Sequence, residues 1–390
     1  MYSHYGCIFI GGGLSSILAA YTWLELGYSK PILIIEQNSY LCGNHTWSFN
    51  QTDILPQAWN LLQPLIDVSW QSYQVKFPKI ERTVLIPYHT IFSQSLSKKI
   101  KDYAEKNSLL QIITGQRASV LRQDTSTIVV TQNNHSYTAD WIFYATGNIA
   151  TFTTTAYQKF VGLEVILAEP VSLPSPIIMD ATVAQKDGFR FMYVLPFEPK
   201  RLLIEDTYYS LNQRLNVSTI TDEIQEYAQN KGWKIVCIQR QEQGVLPIPL
   251  SQEKPACIHS NVLPLGMHAN LFHVTTGYSL AANYNFIWQM YPFLEEKNLP
   301  AIWYQNLLEF HKSMQFYRIM NRFLFIAGKT DKRYRFLEAF YQRCNDAQIA
   351  RFYAGKSTFQ DKMHILSGKA PFRPSWYMLN ALIGIRREID

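Results

Sequence analysis

The N-terminal run Cys7-Ile8-Phe9-Ile10-Gly11-Gly12-Gly13-Leu14-Ser15-Ser16 carries a short apolar segment straight into a glycine turn. Cys7–Ile10 is too short for a helix and is bounded by turn residues, so it predicts a buried strand. Ile17–Leu26 is helical in character, and Gly27 suits its C-terminal cap. Pro31 follows, and Ile32-Leu33-Ile34-Ile35 predicts a second buried strand that ends in Glu36. Strand, turn, helix and strand in this order form one βαβ unit with parallel strands. Gly11 and Gly13 hold the first two glycine positions of G-x-G-x-x-G, where a side chain would keep the backbone away from a pyrophosphate. The helix N-terminus then turns unpaired N–H groups toward the phosphates. Ser16 replaces the third glycine and is small enough for close helix–strand packing. Glu36 lies at the spacing of an acid that accepts a ribose hydroxyl. The expected dinucleotide contacts are therefore Gly11, Gly12, Gly13, Leu14, Ser15, Glu36 and the adjoining Gln37. The turn alone does not separate NAD from FAD.

Outward from this unit, the 390 residues exceed one ordinary core and fit two domains or one large nucleotide domain with insertions. Hydrophobic residues make up 47% and charged residues 17%, which excludes a disordered chain. The 14% of aromatics can fill a core or line a pocket for a long apolar molecule. Of the 36 Lys and Arg, 15 fall in 301–390 against 7 of the 30 Asp and Glu, so the basic excess belongs to the C-terminal quarter. Such a surface can sit on anionic lipid or on nucleic acid, or be a solvated helical face. The five cysteines, Cys7, Cys42, Cys237, Cys257 and Cys344, form no C-x-x-C pair, so neither a metal site nor a disulfide framework is expected. No uninterrupted apolar stretch predicts a spanning helix, and no signal peptide is expected.

Further along, Ser93–Lys106 predicts an amphipathic helix, and Leu110–Thr114, Ser119–Arg122, Thr127–Thr131 and Trp141–Tyr144 predict strands. The last runs into Ala145-Thr146-Gly147. From Gly162 to Thr207 apolar and polar residues alternate, which predicts an antiparallel sheet. Thr221–Lys231 predicts a helix capped at Thr219 or Thr221. After about 280 the pattern is mainly helical.

Several stretches resemble known flavoproteins. Asp140–Gly147 is similar to the strand-to-loop element of two-domain flavoproteins, and Gly266, followed by Gly277, is similar to their second flavin loop. Hydroxylases place an Asp after the first of these glycines; here Met267 stands there. Cys42-Gly43-Asn44-His45-Thr46-Trp47-Ser48-Phe49, Met179-Asp180-Ala181-Thr182, Leu202–Tyr209, Gly244-Val245-Leu246-Pro247-Ile248, Phe272-His273, Thr275-Thr276-Gly277-Tyr278-Ser279-Leu280 and Arg351-Phe352-Tyr353-Ala354-Gly355 together resemble the bacterial flavoprotein lycopene cyclases, from residue 7 to about 374. Val274, Asn148 and Val171 depart from that family's usual residues.

The resemblance implies an α/β fold: a Rossmann-like FAD-binding domain with an inserted antiparallel-sheet substrate domain and C-terminal helices, in the manner of two-domain flavoprotein hydroxylases. Residues 1–50, 100–150 and 240–300 are expected to form the FAD domain, 51–99 and 151–239 the substrate domain, and 301–390 a basic, aromatic helical region. It implies FAD contacts at Gly43, His45, Gly147, Gly266, Met267, Thr276 and Gly277. It implies reduced FAD as cofactor, NADPH as electron donor and linear carotenoids such as lycopene as substrates. Membrane lipid is an expected partner, reached from the cytoplasmic face by peripheral contact; nucleic acid and metal are not.

Glu205 and Asp206 are the expected catalytic carboxylates. On extended backbone their side chains point to opposite faces, so only one can meet substrate; the resemblance favours Glu205. A carboxyl buried beside a polyene keeps its proton to higher pH. Trp47, Phe49, Tyr208 and Tyr278 are candidates for stabilising a cation by their ring faces. The competing readings are an FAD-dependent monooxygenase and a reductase acting on isoprenoid chains.

Overall fold

The computed structural model describes residues 4–123, 126–147, 155–251, 261–326 and 329–367; Asn148, Cys257 and the end of the C-terminal region lie outside the described residues. A five-stranded parallel sheet runs in the order Val262–Pro264, Ala139–Tyr144, Tyr5–Ile10, Ile32–Ile35, Leu110–Ile113. Tyr5–Ile10 is buried throughout because layers cover both its faces. Phe9, Ile34 and Phe143 point into a core shared with the helices Leu14–Glu25, Leu280–Met290 and Leu299–Ser313; Ile8, Leu33 and Ile142 point into a second, smaller core. The first helix begins at Leu14, three residues earlier than its apolar spacing predicted, because it starts directly from the glycine turn.

A seven-stranded sheet forms the second layer, in the order Ile235–Pro249, Thr155–Leu167, Arg201–Ser210, Phe189–Glu198, Ile177–Asp180, Tyr73–Phe77, Ile80–Val84. All its pairs are antiparallel except Ile177–Asp180 with Tyr73–Phe77. One face buries Val161, Leu163, Leu202, Ile204 and Tyr208 under the helix Val217–Asn230. The other face meets the C-terminal helices around Tyr317, Tyr341 and Phe352.

Two sequence expectations are corrected. The helix expected from Thr221 begins at Val217 and is capped by Asn216, whose side chain accepts from the Thr219 N–H. Several capping residues crowd 216–221, and the first in the chain is the one used. The boundary at 240 falls inside a strand: Ile235–Pro249 pairs along its length with Thr155–Leu167. It carries Gly244, Pro247 and Pro249, which an edge strand tolerates on its outer side.

Candidate active site

A cavity of about 820 Å³ opens between the two large sheets, lined at one end by the glycine turn and at the other by the antiparallel strands. Gly11, Gly13, Leu14, Ser15, Glu36, Gln37, Gly43, His45, Gly147, Gly266, Met267, Thr276 and Gly277 all line it.

At the turn, Gly11 has φ +105°, and a Cβ there would lie 2.5 Å from the Ala145 carbonyl oxygen. A side chain on Gly13 would meet nothing within 4 Å, so that glycine leaves open space in front of the helix. No side chain caps the helix and no acid occupies its first turn, so its N–H groups are left for an anion. Gly12 lies behind the turn, on the side of Glu36 and Leu41. Its N–H donates to Glu36 Oε2 at 2.7 Å, and its missing Cβ leaves room for Leu41 and Glu36. Glu36 Oε1 accepts from the Asn38 N–H at 2.8 Å and from Asn38 Nδ2 at 2.9 Å. A carboxylate has about four acceptor sites, so one remains for a hydroxyl.

The second glycine loop closes against the first. A Cβ on Gly266 would lie 2.6 Å from Ser15 Oγ, and Ser15 Oγ donates to Asn283 Oδ1 at 2.9 Å. Asn283 Nδ2 in turn donates to the Leu271 and Ser279 carbonyls, both at 2.7 Å. Nδ1 of the buried His273 accepts from the N–H groups of Thr275 and Thr276, and its other ring nitrogen bonds the Phe352 carbonyl at 3.0 Å. Burial pushes His273 down to about 4, so it stays neutral and shapes the Thr275–Gly277 turn. Three buried side-chain oxygens on cavity-lining residues, Gln116 Oε1, Thr146 Oγ1 and Gln158 Oε1, have no protein partner among the described residues. Open glycine space, an uncapped helix, an acid and orphaned acceptors together fit a dinucleotide such as FAD.

At the other end, alternation along Arg201–Ser210 sends Leu203, Glu205 and Tyr209 to the cavity side and Leu202, Ile204, Asp206 and Tyr208 to the helix-covered side. Glu205 faces the cavity and accepts from Thr207 Oγ1 at 2.6 Å. Burial, reinforced by the charge of Glu242, pushes its carboxyl up to about 8. Asp206 does not reach the cavity, which corrects its place among the catalytic carboxylates. It is fully buried, and the Arg190 guanidinium clamps it with Nε at 2.9 Å from Oδ1 and Nη2 at 2.8 Å from Oδ2. Tyr208 Oη donates to the same carboxylate at 2.9 Å. Phe49 and Tyr208 are likewise turned away, whereas Trp47 and Tyr278 line the cavity.

Sequence reasoning passed over Glu242, Arg240, Gln158 and Tyr193; Tyr209 and Tyr353, quoted there only within longer stretches, also line the cavity. Tyr88 Oη stands 3.0 Å from both Tyr193 Oη and Tyr278 Oη, which joins three elements beside Glu205. Glu242 Oε2 accepts from Arg240 Nη1 at 2.8 Å and Thr46 Oγ1 at 3.0 Å. Arg240 also reaches Glu164 and Asn44. The Cys42–Phe49 stretch thus contributes Asn44 and Thr46 as struts for a charged row at the cavity wall. His45 lies beside this row, and burial with the nearby Arg240 charge lowers it.

The protein family described as lycopene cyclase protein matches residues 7–380 of the chain. A lycopene beta-cyclase from Pantoea ananas is 35% identical, with 95% of this chain and 96% of that protein covered. Another, from Pseudescherichia vulneris, is 34% identical over 93% of this chain and 94% of that protein. Among solved structures, a geranylgeranyl bacteriochlorophyll reductase-like protein from Thermoplasma acidophilum superposes with a TM-score of 0.65 at 12% identity, covering 95% of this chain and 97% of that one. A probable FAD-dependent monooxygenase from Pseudomonas aeruginosa gives 0.63 at 12% identity, covering 87% of this chain and 100% of that one. These structures share the flavoprotein fold expected from sequence.

Proposed function

The chain belongs to the lycopene cyclase family, and from that premise we propose that it closes the linear ψ ends of lycopene into β rings, forming γ-carotene and then β-carotene without net oxidation or reduction. The observation that carries this reading is one buried carboxyl, Glu205, turned into the same cavity as the Gly11–Gly13 turn, where burial favours its protonated form.

Ring closure needs a proton donor, a dry pocket for a carbocation and a proton acceptor. Glu205 gives its proton to C2 of the end group, which leaves a tertiary cation at C1. The C5=C6 double bond attacks C1, the positive charge passes to C5, and C6 gives its proton to the carboxylate left on Glu205. Charge and mass are conserved. With a carboxyl near 8, Glu205 is in its acid form at neutral pH and can be reprotonated there. Tyr193, Tyr209, Tyr278 and Trp47 turn aromatic surface toward the cavity, where ring faces favour a nearby cation. FAD would be held by the Gly11–Ser15 turn, Glu36, Gln37, Gly43, His45, Gly147 and the Gly266–Gly277 loop; in its reduced form, supplied by NADPH, it would add negative charge beside the cation. We further propose that the substrate enters from lipid at the inner face of the membrane, by surface contact, since no described helix is long and apolar enough to cross.

The test is an anaerobic incubation of the protein with lycopene in liposomes, FAD and NADPH, read by chromatography and product mass. Cyclic product of unchanged mass, without stoichiometric NADPH loss, is expected. A product heavier by oxygen that forms only in air would replace this reading with a monooxygenase. A product heavier by hydrogen, formed as NADPH is consumed, would make it a reductase.

A further inference from the structure

Glu205 is not alone on its face of the sheet. The strand Thr155–Leu167 lies between Arg201–Ser210 and Ile235–Pro249, and its residue Gly162 is in register with Glu205 on one side and Glu242 on the other. All three lie on one face of the sheet, and Glu205 and Glu242 line the cavity. Any side chain at Gly162 would fill the space between the carboxylates: a Cβ there would lie 3.1 Å from Glu242 Cγ and 3.5 Å from Glu205 Cβ. Gly162 has no left-handed backbone to explain it. Its absent side chain leaves a gap across which two acids face each other.

The two acids are not equivalent. Burial raises Glu242 as well, but the Arg240 guanidinium and the Thr46 hydroxyl hold it and favour its charged form. Glu205 accepts from the Thr207 hydroxyl, and among the described residues it takes part in no salt bridge. The remaining charged and titratable groups around Glu205 do not change this ranking. Asp206 and Arg190 neutralise each other on the far face of the sheet. Glu164, on the cavity side, is paired with Arg201 and Arg240. Tyr193 and Tyr209 are pushed above their ordinary range by burial and stay neutral. His45 is pushed down. When two carboxyls share one site, the one with the cation keeps the charge and the other keeps the proton.

We propose that Glu242 is the fixed anion that keeps the proton on Glu205, acting across the gap left by Gly162. Glu242 is then a positioning residue, and the inference rests on the reading of Glu205 as the acid. After Glu205 has given up its proton, the pair carries an added negative charge at the cavity wall. That charge opposes the cation and restores the pull for a new proton.

The experiment is an infrared pH titration of the purified protein, which follows the carboxylic-acid C=O band that is lost in E205Q. In E242Q the midpoint of that band is expected to fall by about one pH unit or more, equivalent to a tenfold weaker hold on the proton. The alkaline limb of the cyclisation rate is expected to move with it. E242D, which keeps the charge, is expected to retain most of the elevation. Glu242 ionises while Glu205 is still neutral, so the remaining acid band of E205Q, that of Glu242, is expected to keep its wild-type midpoint; this arm survives even if E242Q does not fold. An unchanged Glu205 midpoint in folded E242Q overturns the proposal, as does a Glu242 midpoint that falls in E205Q, which would mean that Glu205 ionises first and Glu242 holds the proton. Loss of activity at every pH without a shifted limb would mark Glu242 as a structural strut and also overturn it. Cyclisation that persists in E205Q would instead sink the reading of Glu205, whatever the infrared midpoints.

Discussion

Glu205 and Asp206 are consecutive, chemically alike and on one strand, yet one backbone step gives them opposite surroundings. The cavity leaves Glu205 neutral, while Arg190 keeps Asp206 in a buried ion pair. The two amides should therefore fail in different ways. Glu205→Gln removes the acid but little packing, so cyclisation is expected to fall by about 10²–10⁴-fold with an unchanged melting curve. Asp206→Asn leaves a buried guanidinium undercompensated, and the expected loss is about 3 kcal/mol of stability in urea titrations. A catalytic collapse of the folded Asp206→Asn protein, with wild-type stability, would reverse these roles. The pH dependence carries a definite sign. In the proposed mechanism Glu205 acts in its protonated form, and its carboxyl is raised to about 8, so kcat is expected to be flat through neutrality and to fall about tenfold per unit above that point. A rate that rises through pH 8 would mean that Glu205 works as a base. The alternation that separates these two side chains was legible in the sequence. The Arg190 clamp was not, because it is made across the strand pair of Phe189–Glu198 and Arg201–Ser210.

At the scale of elements, the glycine turn shows how much a short motif can specify. Strand, turn, helix and the acid at Glu36 follow from local pattern alone, and their neighbours in space are fixed by the rules for parallel crossovers. Even so, three consecutive glycines do three separate things. Gly11 needs its left-handed backbone, Gly12 makes room for Leu41 and Glu36, and Gly13 faces open space. Gly11→Ala is expected to cost more than about 2 kcal/mol in the unliganded protein, since φ +105° and contact with the Ala145 carbonyl both oppose a methyl. Gly13→Ala is expected to melt like the wild type without ligand but to bind FAD about tenfold or more weakly, because its methyl enters the space left for the pyrophosphate. Calorimetry of the unliganded proteins and flavin-fluorescence titration separate the two effects. Equal FAD affinity in Gly13→Ala would mean that the phosphates lie elsewhere. The strand Ile235–Pro249 marks the limit of such local reading. Its prolines and glycine argue against a strand until its position at the sheet edge is known, and that position is a property of the whole sheet.

Across the whole molecule, the cavity joins residues that are far apart in the chain. Gly13, Glu205, Glu242 and Gly277 converge only when the parallel and antiparallel sheets face each other. Family resemblance led to Glu205. Glu242 carries no local signal, since its meaning depends on the register of three strands. The same scale governs how an apolar C40 substrate reaches the site. The helix Phe359–Leu366 follows closely on Tyr353 at the cavity wall, and it exposes Phe359 at 77%, Met363 at 50% and Leu366 at 45%. These residues stand four and three apart, so they share one helix face, within the basic quarter of the chain. Leu85, 73% exposed, is tied to the same part of the fold, because its N–H donates to Asp346. Burying a Phe or Met side chain in lipid contributes about 1.5–3 kcal/mol. The double substitution Phe359→Ser, Met363→Ser is therefore expected to reduce partition onto anionic vesicles by about tenfold or more in flotation assays. Cyclisation of detergent-dispersed lycopene should be unchanged, because neither residue lines the cavity. If the double variant floats like the wild type while Leu85→Ser does not, the contact lies in the 50–100 segment, and the basic quarter is a solvated surface that takes no part in delivering the substrate.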